Sequence, residues 1–176
     1  MIETNKSELL IGLISDTHVP SRVPEIPVKI IDDFKERGVD YVFHLGDFTN
    51  MKAYEQLLGE FGKEKVIAIQ GNMDNQDLQK ILPDKLELEI FDKRIFLVHG
   101  MGGPNMIIRR LNKNYDLSKY DVIIFGHVHR PYNEVWKDGK LYLNPGTPTD
   151  KKFTDINSYA YLTISEEDIK PEIIII

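Results

Sequence analysis

Five short motifs of this 176-residue chain each carry side chains suited to bind metal: Asp16-Thr17-His18, Gly46-Asp47, Gly71-Asn72-Met73-Asp74, His99-Gly100 and Gly126-His127-Val128-His129. They offer Asp16, Asp47, Asn72 and four of the five histidines, His18, His99, His127 and His129. All of these donate oxygen or imidazole nitrogen, and the chain has no cysteine to add a thiolate. That donor set suits manganese, iron, cobalt, nickel or zinc and argues against an iron–sulfur or copper(I) site. Seven ligands are too many for one tetrahedral zinc, and for one octahedral ion with a position left open, so two ions are expected. A carboxylate can bridge two ions roughly 3.5–4 Å apart, an arrangement that polarises a phosphoryl group and generates hydroxide near neutral pH. Phosphoester hydrolysis is therefore the expected reaction.

Each motif begins where an apolar run stops. The runs at 9–14, 41–45, 66–69, 95–98 and 122–125 are short and rich in β-branched or aromatic residues, as buried strands are. In an α/β sheet, sites form beyond the carboxyl ends of the strands, so five distant segments can converge there. Asp16 and His18, like His127 and His129, are separated by one residue, and extended backbone would turn both members of a pair to one face. Gly46, Gly71 and Gly126 are expected to supply tight turns or close backbone approach just before a ligand.

After a connection containing Pro20, Pro24 and Pro27, the spacing of Ile30, Ile31 and Phe34 predicts a helix closed by Gly38. A second helix starts from Thr49 or Asn50 as N-cap, with Met51, Tyr54, Leu57, Leu58 and Phe61 as its packing stripe before Gly62. Links of this length allow parallel strands joined by crossover helices. The second half turns toward hairpins, 86–91 with 94–98 about Asp92-Lys93, and 132–137 with 140–143 about Asp138-Gly139. Pro104 opens a helix that buries Ile107, Ile108 and Leu111, and strands at 158–164 and 169–176 complete the set. This mixture predicts an α/β protein, a four-layer α/β/β/α sandwich of two mixed sheets flanked by helices, in one domain over residues 1–176, with the metal site at strand ends.

The order Asp-x-His, Gly-Asp, Gly-Asn, His, Gly-His-x-His resembles the calcineurin-like metallophosphoesterases. The short length and Asn144-Pro145-Gly146-Thr147 are similar to their small bacterial and archaeal phosphodiesterase branch, and the likeness runs from residue 9 to about residue 164. It implies the same four-layer architecture. It also implies that Asp16, His18 and His129 bind one divalent metal, that Asn72, His99 and His127 bind the other, and that Asp47 bridges them. Manganese is the first expectation among the candidate ions. Asp47 and Asn72 would act through the metals, and hydroxide held between the two ions would attack phosphorus in line, without a covalent enzyme intermediate. Many relatives carry a histidine after Gly-Asn that protonates the leaving oxygen, whereas this chain has Met73. A thioether donates no proton, so small diesters with acidic leaving groups are the expected substrates, and Asp74 is left to hold the turn. Two alternatives stand beside this: a phosphomonoesterase, or a protein-binding scaffold like the retromer subunit of the same fold. Intact ligands favour catalysis.

Composition narrows the rest. Hydrophobic content of 41% and charged content of 28% are those of a folded globular chain. A net charge of −6 argues against a nucleic-acid partner, since that affinity leans on phosphate neutralisation by Lys and Arg. The absence of cysteine is compatible with a reducing cytoplasm, the expected location. Residues 1–8 include Glu3, Lys6 and Glu8, and the apolar run after them is too short for a signal or a membrane span. Arg109-Arg110 and Lys151-Lys152 are expected as solvated surface, Arg130 as a rim residue and Trp136 as packing. His44 is expected to be a structural histidine. Asn144 and Gly146-Thr147 are expected to shape a turn, and the isoleucines at 173–176 leave room for a homo-oligomer through a strand edge.

Overall fold

The computed structural model describes residues 2 and 4–176. The reading of residues 1–8 falls in part on Met1 and Glu3, which lie outside the described residues. Among the described residues no helix is long and apolar enough to cross a membrane.

Two five-stranded mixed sheets face each other. In the first, β1 (Glu8–Ile14), β2 (Tyr41–His44) and β3 (Val66–Ala68) run parallel, joined by α1 (Val28–Glu36) and α2 (Met51–Phe61). In the second, β5 (Lys93–Val98) and β6 (Val122–Phe125) run parallel and are joined by α4 (Ile107–Asn114), with α3 (Gln76–Ile81) and β4 (Lys85–Ile90) preceding them. β7 (Tyr132–Val135) pairs antiparallel with β8 (Leu141–Asn144), which lies parallel to β6. β9 (Ser158–Ser165) returns antiparallel to β1, and β10 (Ile169–Ile175), antiparallel to β9, completes the first sheet, in the order β10-β9-β1-β2-β3.

Strand alternation builds the four layers. Leu9, Ile11 and Leu13 of β1 point between the sheets, where they meet Ile95 and Leu97 of β5 and Val122 and Ile124 of β6. The opposite face of the first sheet, with Val42, Val66 and Tyr161, packs on Ile30, Ile31 and Phe34 of α1 and Leu57 of α2. A Cβ on Gly12 would come within 2.9 Å of the Phe34 ring, so α1 can lie this close only over a glycine. Phe96, Ile123 and Phe125 face outward from the second sheet onto Ile107, Ile108 and Leu111 of α4. The expected sandwich is the observed one.

Several boundaries differ from expectation. The start of α2 does not: of the two expected N-caps it is Asn50 that serves, its side chain accepting from Lys52 N at 2.9 Å. Pro104 sits in a turn ahead of α4, which begins three residues later. The first hairpin turns on Phe91 and Asp92, both at positive φ, because Ile90 pairs with Lys93. An aromatic rarely adopts that conformation, and here packing of Phe91 on the core between the sheets offsets the strain. The second hairpin uses a three-residue loop over 137–139, with Gly139 at φ 82 and Trp136 N donating to Lys140 O at 2.9 Å. α3 was not expected: six residues with one buried side chain, Leu78, are too few to show a helical period.

Candidate metal centre

All seven expected ligands meet at one end of the two sheets. His18 Nε2 lies 3.2 Å from His129 Nε2 and 3.8 Å from Asp47 Oδ2, and His129 Nε2 lies 3.3 Å from Asp16 Oδ1. Asp16, His18, Asp47 and His129 are all buried, and one ligand atom from each falls within 4.8 Å of the other three. On the other side of Asp47, its Oδ1 is 3.4 Å from His99 Nε2, while His127 Nδ1 is 2.9 Å from Asn72 Oδ1. The two oxygens of Asp47 thus face two groups of ligands.

The backbone that delivers these side chains is not extended. Asp16, His18, Asp47, His127 and His129 all have positive φ, between 47° and 72°. The members of each pair therefore share a face because both sit in left-handed turns, which corrects the expectation from strand alternation. Each such residue costs on the order of 1 kcal/mol and persists where its surroundings over-determine it. Here the surroundings are specific. Ser15 Oγ donates to Asp16 Oδ2 at 2.5 Å, and His127 N donates to the same oxygen at 3.0 Å. Asp74 accepts from Gly71 N at 2.7 Å, Asp47 N at 3.2 Å and Thr49 N at 2.7 Å, so it clamps two ligand loops together as well as holding its turn. Gly71 and Gly126 are glycines for lack of room: added Cβ atoms would fall 2.2 Å from Asp47 Oδ1 and 2.1 Å from Ser15 Oγ.

His44 has the structural role expected of it. It is fully buried, accepts from Gly46 N at 3.2 Å, donates through Nε2 to Thr17 Oγ1 at 3.0 Å and stacks on Phe48. Burial, with His99 nearby, holds its pKa well below the ordinary value, so it is a neutral prop under the Asp16 loop. The 144–150 loop does more than turn. Asn144 Oδ1 accepts from Gly146 N at 2.8 Å and shapes the turn, while its Nδ2 donates to Gly126 O at 3.1 Å. Thr147 Oγ1 donates to Asp16 O at 2.7 Å and Thr149 Oγ1 to Thr17 O at 2.8 Å.

Asp150 is the site residue that sequence reasoning missed. It is fully buried, and its carboxylate accepts from His129 Nδ1, from Lys152 N at 2.8 Å and from Phe153 N at 3.3 Å. A ligand histidine oriented by a carboxylate on its other nitrogen is a recurrent feature of metal sites. Only its place three residues after Thr147 hinted at it, and a loop has no periodicity from which to read a partner.

The donor chemistry fits metal. His99 donates Nδ1–H to Leu45 O at 2.6 Å, which leaves its Nε2 aimed inward, buried and, among the described residues, without a hydrogen-bond partner. Buried polar atoms are normally satisfied, and a cation would satisfy this one. Among the described residues, the ion pairs of Asp16 and Asp47 are all with histidines, so two buried carboxylates lack a permanent counter-charge. Burial pushes both carboxyl groups up, yet the neighbouring histidines prevail and hold them below the usual range, so both are ionised at neutral pH. Burial pushes His99 down, and the Asp47 carboxylate outweighs it, holding the imidazole up at about 9.

The constellation opens into a cleft of about 710 Å³, within the usual range for small ligands. His18, Asp47, Asn72, His127 and His129 reach its floor, and Arg22, Met73, Pro104, Val128 and Phe153 form its walls. Met73 is exposed in this cleft, and Trp136 lies away from it, packed on Tyr142 with a bond to Tyr132.

This fold with a buried Asp/His cluster at its strand ends is the arrangement of the calcineurin-like class of proteins. The chain belongs to the calcineurin-like phosphoesterase superfamily, whose domain profile matches residues 9–167. It is 39% identical over 145 residues to the probable metallophosphoesterase MJ0623 of Methanocaldococcus jannaschii, covering 80% of this chain and 69% of that one. Phosphodiesterase MJ0936 of the same organism is 32% identical over 151 residues, 77% of this chain and 82% of that one. Among solved structures, a single-mutant Vps29 of Entamoeba histolytica superposes with a TM-score of 0.72 at 22% identity, covering 96% of this chain and 99% of that one, and so shares the fold. The family works with divalent metals, and the buried cluster here can bind one.

Proposed function

We propose that this protein is a metal-dependent phosphodiesterase of small phosphodiesters, built as one domain over residues 1–176 and working in the cytoplasm. Asp16, His18 and His129 would hold one divalent ion and Asn72, His99 and His127 the other, with Asp47 shared, and manganese is the first candidate. The observation that carries the reading is the buried, converging Asp/His set at the floor of an open cleft, with His99 Nε2 lacking a hydrogen-bond partner among the described residues. When bound, two such ions supply Lewis-acid polarisation of the phosphoryl group and a nucleophile near neutral pH. The chain's own groups do the rest. Asp47 would be shared by the two ions, Asp74 and Ser15 hold the loops that carry the expected ligands, and His129 is held by Asp150.

Met73 explains the diester preference. At this position the chain offers the leaving oxygen a thioether, and Asp74 behind it is fully engaged with backbone N–H groups. Met73→His is expected to raise turnover on diesters with poor leaving groups by about tenfold or more, since general-acid help is worth roughly 10²–10⁴-fold when fully aligned. Rates on esters with p-nitrophenol and with a simple alcohol as leaving group check this, and an unchanged ratio would place the proton source elsewhere.

Metal loading must displace the His99 proton, because imidazole binds metal in its neutral form. In metal-stripped protein the raised His99 pKa stabilises the fold fully below the unfolded value of about 6.5, and this stabilisation is lost as pH rises through about 9. Metal affinity runs the other way, gaining about tenfold per pH unit for each proton displaced. Melting temperatures of stripped and manganese-loaded protein should therefore diverge between pH 6.5 and 9. Parallel curves would remove His99 from the ligand set.

The direct test is hydrolysis of a chromogenic diester and the matching monoester by stripped protein reloaded with manganese, nickel, cobalt, zinc or magnesium. Metal-restored turnover favouring the diester supports the proposal, and a monoester preference redirects it to a phosphatase. Silence with every metal in folded protein would bring forward a scaffold role.

A further inference from the structure

The cleft has an apolar shoulder on each side of the ligand floor. Met73 stands beside Asp47, its backbone N donating to Asp47 Oδ1 at 2.7 Å, with its side chain 57% exposed. Phe153 stands at the other end, 58% exposed, its ring centroid 5.7 Å from that of His129 and nearly perpendicular to it. Phe153 lines the cleft together with His129 and Arg22. It does not hang loosely, because Phe153 N donates to the same Asp150 oxygen that accepts from His129 Nδ1. One buried carboxylate thus sets the positions of a ligand histidine and of the aromatic ring beside it.

The surroundings of the ring are cationic. The Arg22 guanidinium lies 5.7 Å and Lys152 Nζ 5.1 Å from the Phe153 centroid, and Arg22 lines the cleft. In a chain of net charge −6, these two cations flank a ring that lines the cleft, and Arg22 Nε also lies 3.8 Å from Asp150 Oδ1, which holds the guanidinium in place. This setting suits an anionic phosphoryl group entering with an aromatic group attached.

We propose that Phe153 is a specificity-determining platform for an aromatic ester arm of the substrate, stacking that arm beside His129 while Arg22 and Lys152 attract the phosphoryl charge. The inference rests on the phosphodiesterase reading of the same cleft. A second shoulder at Met73 leaves room for the other arm, as a diester requires.

The test uses the full-length, manganese-loaded protein and two non-hydrolysable probes, phenylphosphonate and methylphosphonate, with binding measured by calorimetry. Wild type should prefer the phenyl probe by about tenfold, the scale of one well-placed aromatic contact. Phe153→Ala should bring that ratio close to one, and Phe153→Trp should retain it, with circular dichroism confirming the fold of both variants. Equal binding of the two probes by wild type, no binding of either, or a ratio unchanged in Phe153→Ala overturns the proposal. Rates on bis(p-nitrophenyl) and methyl p-nitrophenyl phosphate separate the two levels. A Phe153-dependent binding ratio without turnover of either ester keeps the platform and retires the hydrolytic reading.

Discussion

Asp47→Asn abolishes phosphodiester turnover while the protein stays folded: this is the largest effect expected. The carboxylate stands between two groups of ligands, one oxygen 3.8 Å from His18 Nε2 and the other 3.4 Å from His99 Nε2. Replacing one oxygen by an amide nitrogen removes the charge both sides depend on and turns a donor N–H toward one of them. Rate loss should exceed about 10³-fold, since even one lost charge-stabilising donor in an active site costs roughly 10²–10³-fold. The fold should survive because Asn can keep the 2.7 Å bond from Met73 N, and the side chain is nearly isosteric. Manganese-dependent rates on a chromogenic diester, alongside circular dichroism and melting temperature, give the answer. Turnover within tenfold of wild type would sink the shared-ligand role of Asp47.

Asp150→Asn ranks second. His129 Nδ1 and Phe153 N share one oxygen of this carboxylate, and Lys152 N takes the other. An amide can accept on only one side, so either His129 or the Lys152 backbone loses its partner in a fully buried place. Metal affinity should fall about 10–100-fold, the usual cost of removing a partner that orients a ligand histidine. Because Asp150 sits behind His129 and not on the cleft floor, saturating manganese should recover most of kcat. Chelator competition measures the affinity and a metal titration of activity measures the recovery. An unchanged dissociation constant would show that His129 needs no orienting carboxylate.

Residue types and local order alone determined the donor set, the fold class and the seven converging positions. Ligands placed directly after apolar β-runs leave few places for those side chains to go, and the alternation at Leu9, Ile11 and Leu13 states which face lies between the sheets. Met73, where the family resemblance implies a proton-donating histidine, was equally plain, since it is a single residue type at a single position. What only the tertiary structure decided are the contacts between loops far apart in sequence. Thr147 reaches Asp16 across 131 residues, Asp150 reaches His129 across 21, and nothing periodic in either loop announces the partner. The left-handed backbone at five of the expected ligands was also hidden, because non-glycine residues take up that conformation only when surrounding bonds enforce it. Periodicity records which face of a strand is buried. The placement of a polar side chain within hydrogen-bond reach of another is fixed by packing of the whole chain, and that is where Asp74 gains its hold on the Asp47 loop and Asp150 its histidine.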